Sequence, residues 1–261
     1  MFNIDLSGKI AVITGGGSGL GAVCTKTLAQ AGADIAVSDI NEDNAKKICE
    51  EIQKYNVKTS FGKVDVTNED EVNDFVDKVF DEYGKIDILV HAAGVVLIAP
   101  FNFVSVEQYK KLLDVNVIGT HITNQSVLRY MLPEENGKIV NFASEAGKQA
   151  SPDMVHYSST KYAVIGMTQG VGLMCAPYNI NVNCVCPGII KTPMWEKIMD
   201  DAASLSGTPR EAIWEKGMSL IPMQRPQTEQ DIANMVLFLS SELADNITAQ
   251  AINIDGGMSL Y

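Results

Sequence analysis

The chain has 261 residues, of which 46% are hydrophobic, so it can bury a full core in one large α/β domain or two small ones. Its formal net charge of −12 argues against nucleic acid as a partner, because such binding relies on Lys and Arg to neutralise phosphates. The sequence has no run of 18 apolar residues, no secretory leader and no disulfide or zinc spacing among its five cysteines, which predicts a soluble, cytoplasmic protein without a membrane partner.

Short apolar runs alternate with amphipathic segments along almost the whole chain. Runs of Val and Ile without strict alternation predict strands buried on both faces of a parallel sheet, at residues 9–14, 33–38, 58–64, 86–90, 138–143, 180–185 and 251–254. Helical periodicity and capping residues predict helices at residues 19–31, 42–55, 69–83, 106–131, 157–176 and 229–239. This alternation predicts an α/β fold with a doubly wound parallel sheet of about seven strands, flanked by helices.

The chain shows no Pro- or Ser-rich linker and no break in composition, so we expect a single domain over residues 1–261. Residues 193–222 interrupt the alternation, because this segment with Met and Trp is inserted before the last predicted helix. It follows a strand end, where α/β folds place their ligands. We interpret the segment as a small substrate lid within the domain.

A glycine-rich turn, TGGGSGLG at residues 14–21, joins the first predicted strand to the first predicted helix. Glycines permit a tight turn and let the backbone approach a pyrophosphate, whose charge a helix N-terminus favours. The alternative is a glycine-rich turn that binds nothing. The strand–turn–helix context at the start of a βαβ unit favours a dinucleotide-binding site.

Asp39 ends the second predicted strand, 18 residues after Gly21. A carboxylate at this place can accept hydrogen bonds from the adenosine ribose hydroxyls and would repel a 2′-phosphate. Asp39 could instead cap the following helix. Since no Arg or Lys occurs from residue 32 to residue 45, the sequence predicts NAD(H) rather than NADP(H) as the cofactor.

Ser144, Tyr157 and Lys161 form a second group of candidate functional residues. Ser144 follows the fifth predicted strand, and Tyr157 and Lys161 lie four residues apart on one face of a predicted helix. A phenol beside an ammonium and a hydroxyl is suited to proton transfer to or from an oxygen. Each residue alone has an ordinary interpretation, as a core tyrosine, a snorkelling lysine or a capping serine. The nearby dinucleotide turn favours the catalytic interpretation.

With these motifs, the sequence resembles the short-chain dehydrogenase/reductase family over essentially its whole length. The turn at residues 14–21 matches the family pattern T-G-x-x-x-G-x-G, and Asn116, Ser144, Tyr157 and Lys161 match the family's catalytic tetrad at its usual spacing. The run INIDGG at residues 252–257 resembles the family's closing strand. The resemblance implies a Rossmann-type fold, a nicotinamide cofactor, and hydride transfer to or from a secondary alcohol or ketone without a metal. It also implies assembly as a homotetramer or homodimer.

The resemblance assigns a role to each member of the tetrad. Tyr157 would be the acid/base, Ser144 would polarise the substrate oxygen, Lys161 would hold the nicotinamide ribose, and Asn116 would position a water next to Lys161. A cation at ~4 Å in an effective dielectric of ~20 is worth about 4 kcal/mol, which would lower the pKa of Tyr157 by on the order of three units. The family pattern also implies cofactor contacts at Gly15, Ser18, Gly19, Leu20, Gly21, Asp39, Ile40, Asp65, Val66, Ala92, Gly94, Tyr157, Lys161, Pro187, Gly188, Ile190 and Thr192.

Two histidines lie next to these motifs. The family's N-N-A-G after the fourth strand is HAAG at residues 91–94, so His91 stands where the family has Asn. We expect His91 to be structural rather than a catalytic base. His156 directly precedes Tyr157 near the expected substrate opening, and its neighbour's side chain points elsewhere on the helix, so the sequence assigns it no role.

Within the family, residues 186–198 and 157–169 look most like acetoin/butanediol reductases and polyol dehydrogenases. Those enzymes act on a carbinol flanked by a second oxygen. Glu145 directly follows Ser144 and is placed to bond that second oxygen, and an ionised carboxylate would favour a hydroxyl there because it can only accept. Met154, Met194 and Trp195 are expected to line the same substrate site.

Three alternatives stay open. An NAD-dependent hydroxysteroid dehydrogenase would need a wide apolar pocket, for which the candidate residues are Val95, Val96, Leu97, Ile98, Met154, Met194, Trp195, Ile198 and Met199. A 3-oxoacyl carrier-protein reductase is disfavoured by Asp39 and by Glu134 and Glu135, because docking an acidic carrier wants basic residues. A dinucleotide-binding protein without activity would be expected to have lost part of the tetrad, and this chain retains all of it.

Overall fold

The computed structural model describes residues 4–261, apart from the side chains of Pro193, Met194 and Lys197. Within that part of the chain, the seven strands are β1 (Ile10–Thr14), β2 (Asp34–Asp39), β3 (Thr59–Lys63), β4 (Ile88–His91), β5 (Gly137–Phe142), β6 (Ile180–Pro187) and β7 (Ala251–Ile254). They form one parallel sheet in the order β3-β2-β1-β4-β5-β6-β7. The order reverses between β1 and β4, which opens a crevice at the carboxyl ends of these strands.

Helices cover both faces of the sheet. The described α-helices are α1 (Gly19–Gln30), α2 (Glu42–Ile52), α3 (Glu69–Tyr83), α4 (Val106–Leu113), α5 (Gly119–Glu134), α6 (Val155–Cys175), α7 (Pro193–Ser206), α8 (Arg210–Ser219) and α9 (Glu229–Leu239). Buried side chains of α1, α2 and α9 form one apolar core on the sheet, and those of α3, α5 and the end of α6 form the other. The doubly wound fold predicted from the sequence is confirmed.

The helix predicted over residues 106–131 is interrupted. Its central residues, Asp114–Ile118, form a π-helical turn between α4 and α5, and Asn116 lies in that turn, 1% exposed. The hydroxyl of Thr120 donates to the carbonyl of Asn116 over 2.7 Å. Single π turns inside helices are often found at functional sites, and here the turn places the Asn116 side chain against Val95 and Thr160.

The segment at residues 193–222 contains two helices, α7 and α8, which pack on each other. Thr192 begins α7, because its side chain accepts a hydrogen bond from the N–H of Trp195 over 3.2 Å. These two helices were not predicted from the sequence, from which the segment was interpreted only as a lid. None of the described helices is long and apolar enough to cross a membrane.

Candidate active site

The turn between β1 and α1 is packed backbone against backbone. A Cβ built at Gly21 would lie 2.1 Å from the carbonyl oxygen of Gly15, so no other residue fits without a shift of α1. Gly19 has a φ of +50°, and no described atom lies within 4 Å of a Cβ built there. Ser18 caps α1 with extended backbone and leaves the first N–H groups of the helix without a side-chain partner among the described residues. The turn therefore presents N–H groups to open space, as a pyrophosphate requires.

Asp39 ends β2 beside this turn. Its carboxylate accepts the N–H of Gly17 over 3.0 Å and the N–H of Asn41 over 3.0 Å, which ties β2 to the glycine turn. The cap of α2 is Asn41, whose side chain accepts from Asn44, so the capping interpretation of Asp39 is wrong. Lys63 stands opposite Asp39 in the parallel register of β3. The sequence did not predict this cation, because Lys63 lies outside residues 32–45 and comes beside Asp39 only through the pairing of β2 with β3.

The remaining cofactor candidates lie at the carboxyl ends of the strands. Asp65 follows β3 and accepts from the N–H and the hydroxyl of Thr67 at 2.9 and 2.8 Å. A Cβ built at Gly94, after β4, would lie 3.6 Å from Lys161 Nζ. The other candidates are the following: Leu20, packed on the core; exposed Ile40; buried Val66; Ala92, bonded to the carbonyl of Thr14; and Pro187, Gly188, Ile190 and Thr192, at and after the end of β6.

Ser144, Tyr157 and Lys161 come together at the end of β5. Ser144 is buried, and its Oγ accepts the N–H of Ala146 over 3.1 Å. Tyr157 and Lys161 lie one turn apart on α6, with Lys161 Nζ 5.6 Å from the centre of the Tyr157 ring. Lys161 Nζ donates to the carbonyl of Phe142 over 2.8 Å. The structure thus assembles a hydroxyl, a phenol and an ammonium around one point.

Asn116 joins this group through its side chain. Its Oδ1 accepts the N–H of Val95 over 2.8 Å, and its Nδ2 donates to the carbonyl of Val95 and to Thr160 Oγ1 at 2.9 and 3.0 Å. These bonds fix the loop after β4 against α6. Asn116 thereby holds in place the turn of α6 that carries Lys161.

The expected lowering of the Tyr157 pKa is not found. Burial raises the pKa of Tyr157 to about 12, the Ser144 hydroxyl lowers it in part, and the charges of Glu145 and Cys186 raise it further. Burial also lowers the pKa of Lys161 to about 8. In the protein without a cofactor, the lysine therefore loses its proton at a lower pH than the phenol. The prediction was wrong for the protein without a cofactor. It considered only the attraction between the Lys161 ammonium and the ionised Tyr157 phenol, and it omitted the desolvation of both groups.

Glu145 lies half-buried in the short turn after Ser144. Burial and then the charge of Asp255 raise the pKa of Glu145 to about 7. Asp255 is 3% exposed and accepts the N–H groups of Gly257 and Ser259, each over 2.9 Å. Asp255 lies within the run INIDGG, and no role was predicted for it from the sequence. Asp255 follows β7 and Glu145 follows Ser144 at the end of β5, so only the order of the strands in the sheet shows that the two carboxylates are close.

The other residues predicted to line the substrate site are Met154, Met194 and Trp195, of which Met154 and Trp195 lie in different surroundings. Met154 is half-buried in the residue before α6. Trp195 packs beneath α8, with its Cζ2 3.7 Å from a Cβ built at Gly217. The side chain of Met194 lies outside the described residues. His156 stacks on Phe101 at 5.1 Å and lines a separate cavity of about 360 Å³ between α4 and α6.

Residues 9–203 match the family model for short chain dehydrogenases. The chain belongs to the short-chain dehydrogenase/reductase family. It is therefore an oxidoreductase that acts on CH–OH groups with a nicotinamide cofactor. The glycine turn fits that cofactor, since its N–H groups and its open side at Gly19 are those that a pyrophosphate needs.

Several relatives match nearly the whole chain. It is 35% identical to the L-2,3-butanediol dehydrogenase of Corynebacterium glutamicum, over 96% of this chain and 98% of the relative. It is also 35% identical to a 3-oxoacyl-(acyl-carrier-protein) reductase of Thermotoga maritima, over 97% of this chain and 98% of the relative. Among solved structures, NAD⁺-bound xylitol dehydrogenase superposes with a TM-score of 0.93 at 31% identity, covering 96% of this chain and 99% of that one.

Proposed function

We propose that this enzyme interconverts the secondary alcohol and ketone forms of a small, uncharged diol, polyol or hydroxyketone, with NAD(H) as the cofactor. The observation that carries the proposal is Glu145, a half-buried carboxylate directly beside the hydroxyl of Ser144 and close enough to Tyr157 to raise its pKa. A second polar group next to the reacting oxygen suits a substrate with two neighbouring oxygens. Butanediol and xylitol dehydrogenases among the similar proteins support this substrate class.

The chain's own residues divide the work. When bound, the nicotinamide supplies the hydride acceptor or donor. The turn at residues 14–21 would hold the pyrophosphate and Asp39 the adenosine ribose. Tyr157 would take the proton of the alcohol while Ser144 holds the same oxygen, and Lys161, held by the carbonyl of Phe142, would supply positive charge beneath the phenol.

The two rival substrate classes are less well supported. An acidic carrier protein would meet Glu134 and Glu135, both exposed, on a chain with a net charge of −12. For a hydroxysteroid, Ile98 and Met199 would have to wall a wide pocket, but both are buried at 8% and 6% exposure by the protein's own packing. A screen for NADH formation across diols, polyols and hydroxysteroids tests the proposal. Turnover of hydroxysteroids alone, or of no alcohol, would refute it.

Glu145→Gln is expected to change which diols are preferred, because an amide can donate where an ionised carboxylate only accepts. The ratio of kcat/KM between a vicinal diol and the matching hydroxyketone should move toward the ketone by about tenfold, the value of roughly one hydrogen bond. Steady-state kinetics at pH 8, where Glu145 is largely ionised, measures this ratio. An unchanged ratio would remove Glu145 from substrate recognition.

The same variant has a second expected effect, on stability. The pKa of Glu145 is raised from 4.5 to about 7, so the folded protein binds this proton more tightly than the unfolded chain does. The protonated Glu145 therefore contributes to the free energy of unfolding. This contribution is complete below pH 4.5, falls as the pH rises toward 7 and is absent above about pH 7. Glu145→Gln should therefore gain up to about 3 kcal/mol relative to wild type between pH 4.5 and pH 8. Urea unfolding of wild type and Glu145→Gln at pH 4.5 and at pH 8 measures this gain. If the difference in free energy of unfolding between the two proteins were the same at both pH values, the pKa of Glu145 would not be raised by burial.

Asp39→Ser is expected to reverse the cofactor preference. Removing the carboxylate eliminates its repulsion of a 2′-phosphate, and Lys63 in the neighbouring register of β3 can then attract that phosphate. The ratio of kcat/KM for NAD to that for NADP should fall by about 100-fold, or roughly 2.7 kcal/mol. In the double variant Asp39→Ser with Lys63→Gln, the ratio of kcat/KM for NAD to that for NADP should rise part of the way back to the wild-type value. A wild-type preference for NADP would refute the role of Asp39 directly.

We also propose assembly as a homotetramer or homodimer in the cytoplasm. Apolar side chains are exposed on the helices that the family commonly uses for assembly, including Val106 on α4 and Leu173 and Met174 on α6. Leu260 and Tyr261 at the end of the chain are also exposed. The five cysteines are buried and unpaired, which suits a reducing compartment.

A further inference from the structure

A row of buried polar side chains crosses the sheet beneath the candidate active site. In-register pairs join β1 to β4, β4 to β5 and β5 to β6 along this row. Its members, all 3% exposed or less, are Thr14, His91, Asn141 and Cys184. In-register residues of neighbouring strands point to the same face of a sheet. Here that face is the one covered by α5 and α6, because Asn141 bonds to Asn124 of α5 and Thr168 of α6.

Lys161 approaches the same face one step further along the strands. It descends from α6 and donates to the carbonyl of Phe142, the residue that follows Asn141. Its Nζ also lies 3.6 Å from a Cβ built at Gly94, three residues beyond His91. The ammonium therefore lies between the carboxyl ends of β4 and β5, directly above the level of His91 and Asn141.

The imidazole of His91 uses only one of its nitrogens. Its Nδ1 lies 2.8 Å from Thr14 Oγ1, while Nε2 is buried and has no hydrogen-bond partner among the described residues. Burial and then the charge of Lys161 lower the pKa of His91 to about 3, so the ring is neutral at any working pH. A neutral imidazole has one N–H and one lone pair, and a buried nitrogen without a partner requires an explanation.

We propose that His91 is a positioning residue for Lys161, with Nδ1–H donated to Thr14 and the Nε2 lone pair turned toward the Lys161 ammonium through one buried water. The other tautomer would aim an N–H at a cation. A lone pair beneath the ammonium offsets part of its desolvation, which keeps Lys161 charged under Tyr157. Asn, which the family has at this position, reaches the place of Nδ1 but not that of Nε2.

Nitrogen NMR on the cofactor-free protein tests the geometry without using activity. The chain has three histidines, His91, His121 and His156, so ¹⁵N-histidine labelling with His121→Gln and His91→Asn assigns the spectrum. We expect His91 to carry its proton on Nδ1 from pH 6 to pH 9 and its Nε2 resonance to move in Lys161→Met. Lys148→Met is the control, because Lys148 Nζ bonds to the carbonyl of Ala251 instead. A proton on Nε2, or an Nε2 resonance unchanged in Lys161→Met, would overturn the proposal.

A matched pair of variants tests the consequence for catalysis, which rests on the proposed function. His91→Asn keeps the bond to Thr14 and loses the Nε2 lone pair, whereas His91→Gln keeps an acceptor near Nε2 and loses the bond to Thr14. Without the lone pair Lys161 loses its charge more readily, so the rising limb of kcat against pH in alcohol oxidation should move up by about one pH unit in His91→Asn. In His91→Gln the limb should stay, while the thermal midpoint falls further than in His91→Asn.

The other titratable groups around the pair are the same in both variants. Cys184 and Cys186 of β6 face Lys161, and Glu145 and Cys186 face Tyr157. If the rising limb of kcat against pH moved in both variants, or in neither, His91 would only stabilise the sheet through its contact with Thr14 and would not position Lys161. If no alcohol is oxidised, the proposed function fails, and the nitrogen spectra still decide the placement of His91.

Discussion

Tyr157→Phe is expected to lower turnover of every alcohol substrate by about 10³-fold or more, because it removes the group that exchanges the substrate proton. The phenyl ring keeps the place of the aromatic side chain on α6 beside Lys161, whose Nζ lies 5.6 Å from the ring centre. Binding of NADH should stay within about twofold, since the glycine turn, Asp39 and Lys161 are unchanged. Steady-state kinetics and a fluorescence titration with NADH measure the two quantities separately.

Tyr83→Phe is the matched control. Its hydroxyl donates to Ser60 over 3.2 Å at the end of α3, away from the candidate site, so its loss should cost about 1 kcal/mol of stability and no turnover. If Tyr157→Phe retained more than about a tenth of wild-type turnover, Tyr157 would not be the acid/base. Glu145, with a pKa of about 7, would then be the first group to test in that role.

The strands were predictable because their sequence signal is local. Strands buried on both faces are rich in Val, Ile and Ala, and the run IAVIT in β1 is buried at all of its positions. Each predicted strand overlaps its observed counterpart, as residues 58–64 do with Thr59–Lys63. The ends differ by one or two residues because the final pairings depend on the neighbouring strand.

The π turn at Asp114–Ile118 could not be predicted from periodicity. Its cause is tertiary, since Asn116 bonds to Val95 and Thr160, which lie 21 and 44 residues away. The nearness of Lys63 to Asp39 and of Asp255 to Glu145 has the same origin, because it depends on which strands become neighbours. Spacing along the chain carries no record of these pairs.

The residues of the candidate site were easier to predict than their acidities. Helical spacing alone placed Tyr157 and Lys161 on one face, and the strand end placed Ser144 opposite them. The pKa of Tyr157 depends on how deeply the phenol and the ammonium are buried, and a pattern of residue types contains no depth. Burial raises the pKa of Tyr157 and lowers the pKa of Lys161, which is the opposite of what attraction between an ammonium and a phenolate predicts.

Gly21→Ala is expected to abolish cofactor binding as well as destabilise the fold. The added Cβ would lie 2.1 Å from the carbonyl oxygen of Gly15 and 3.1 Å from the Cα of Gly16, and both are backbone atoms that no side-chain rotation can move away. Helix α1 must therefore shift, which overpacking data suggest costs about 3 kcal/mol. The first N–H groups of α1 move with it, so the affinity for NADH should fall by about 100-fold or more.

Leu28→Ala separates these two effects. Leu28 is fully buried on the same helix, and its truncation should cost about 2–5 kcal/mol while leaving the backbone of the turn in place. Urea unfolding and an NADH titration at a temperature where each variant is folded distinguish the two changes. Weak binding in Gly21→Ala with normal binding in Leu28→Ala would locate the pyrophosphate at the turn. Equal affinities in both variants at similar stability would mean that the close approach of Gly21 to Gly15 serves helix packing alone.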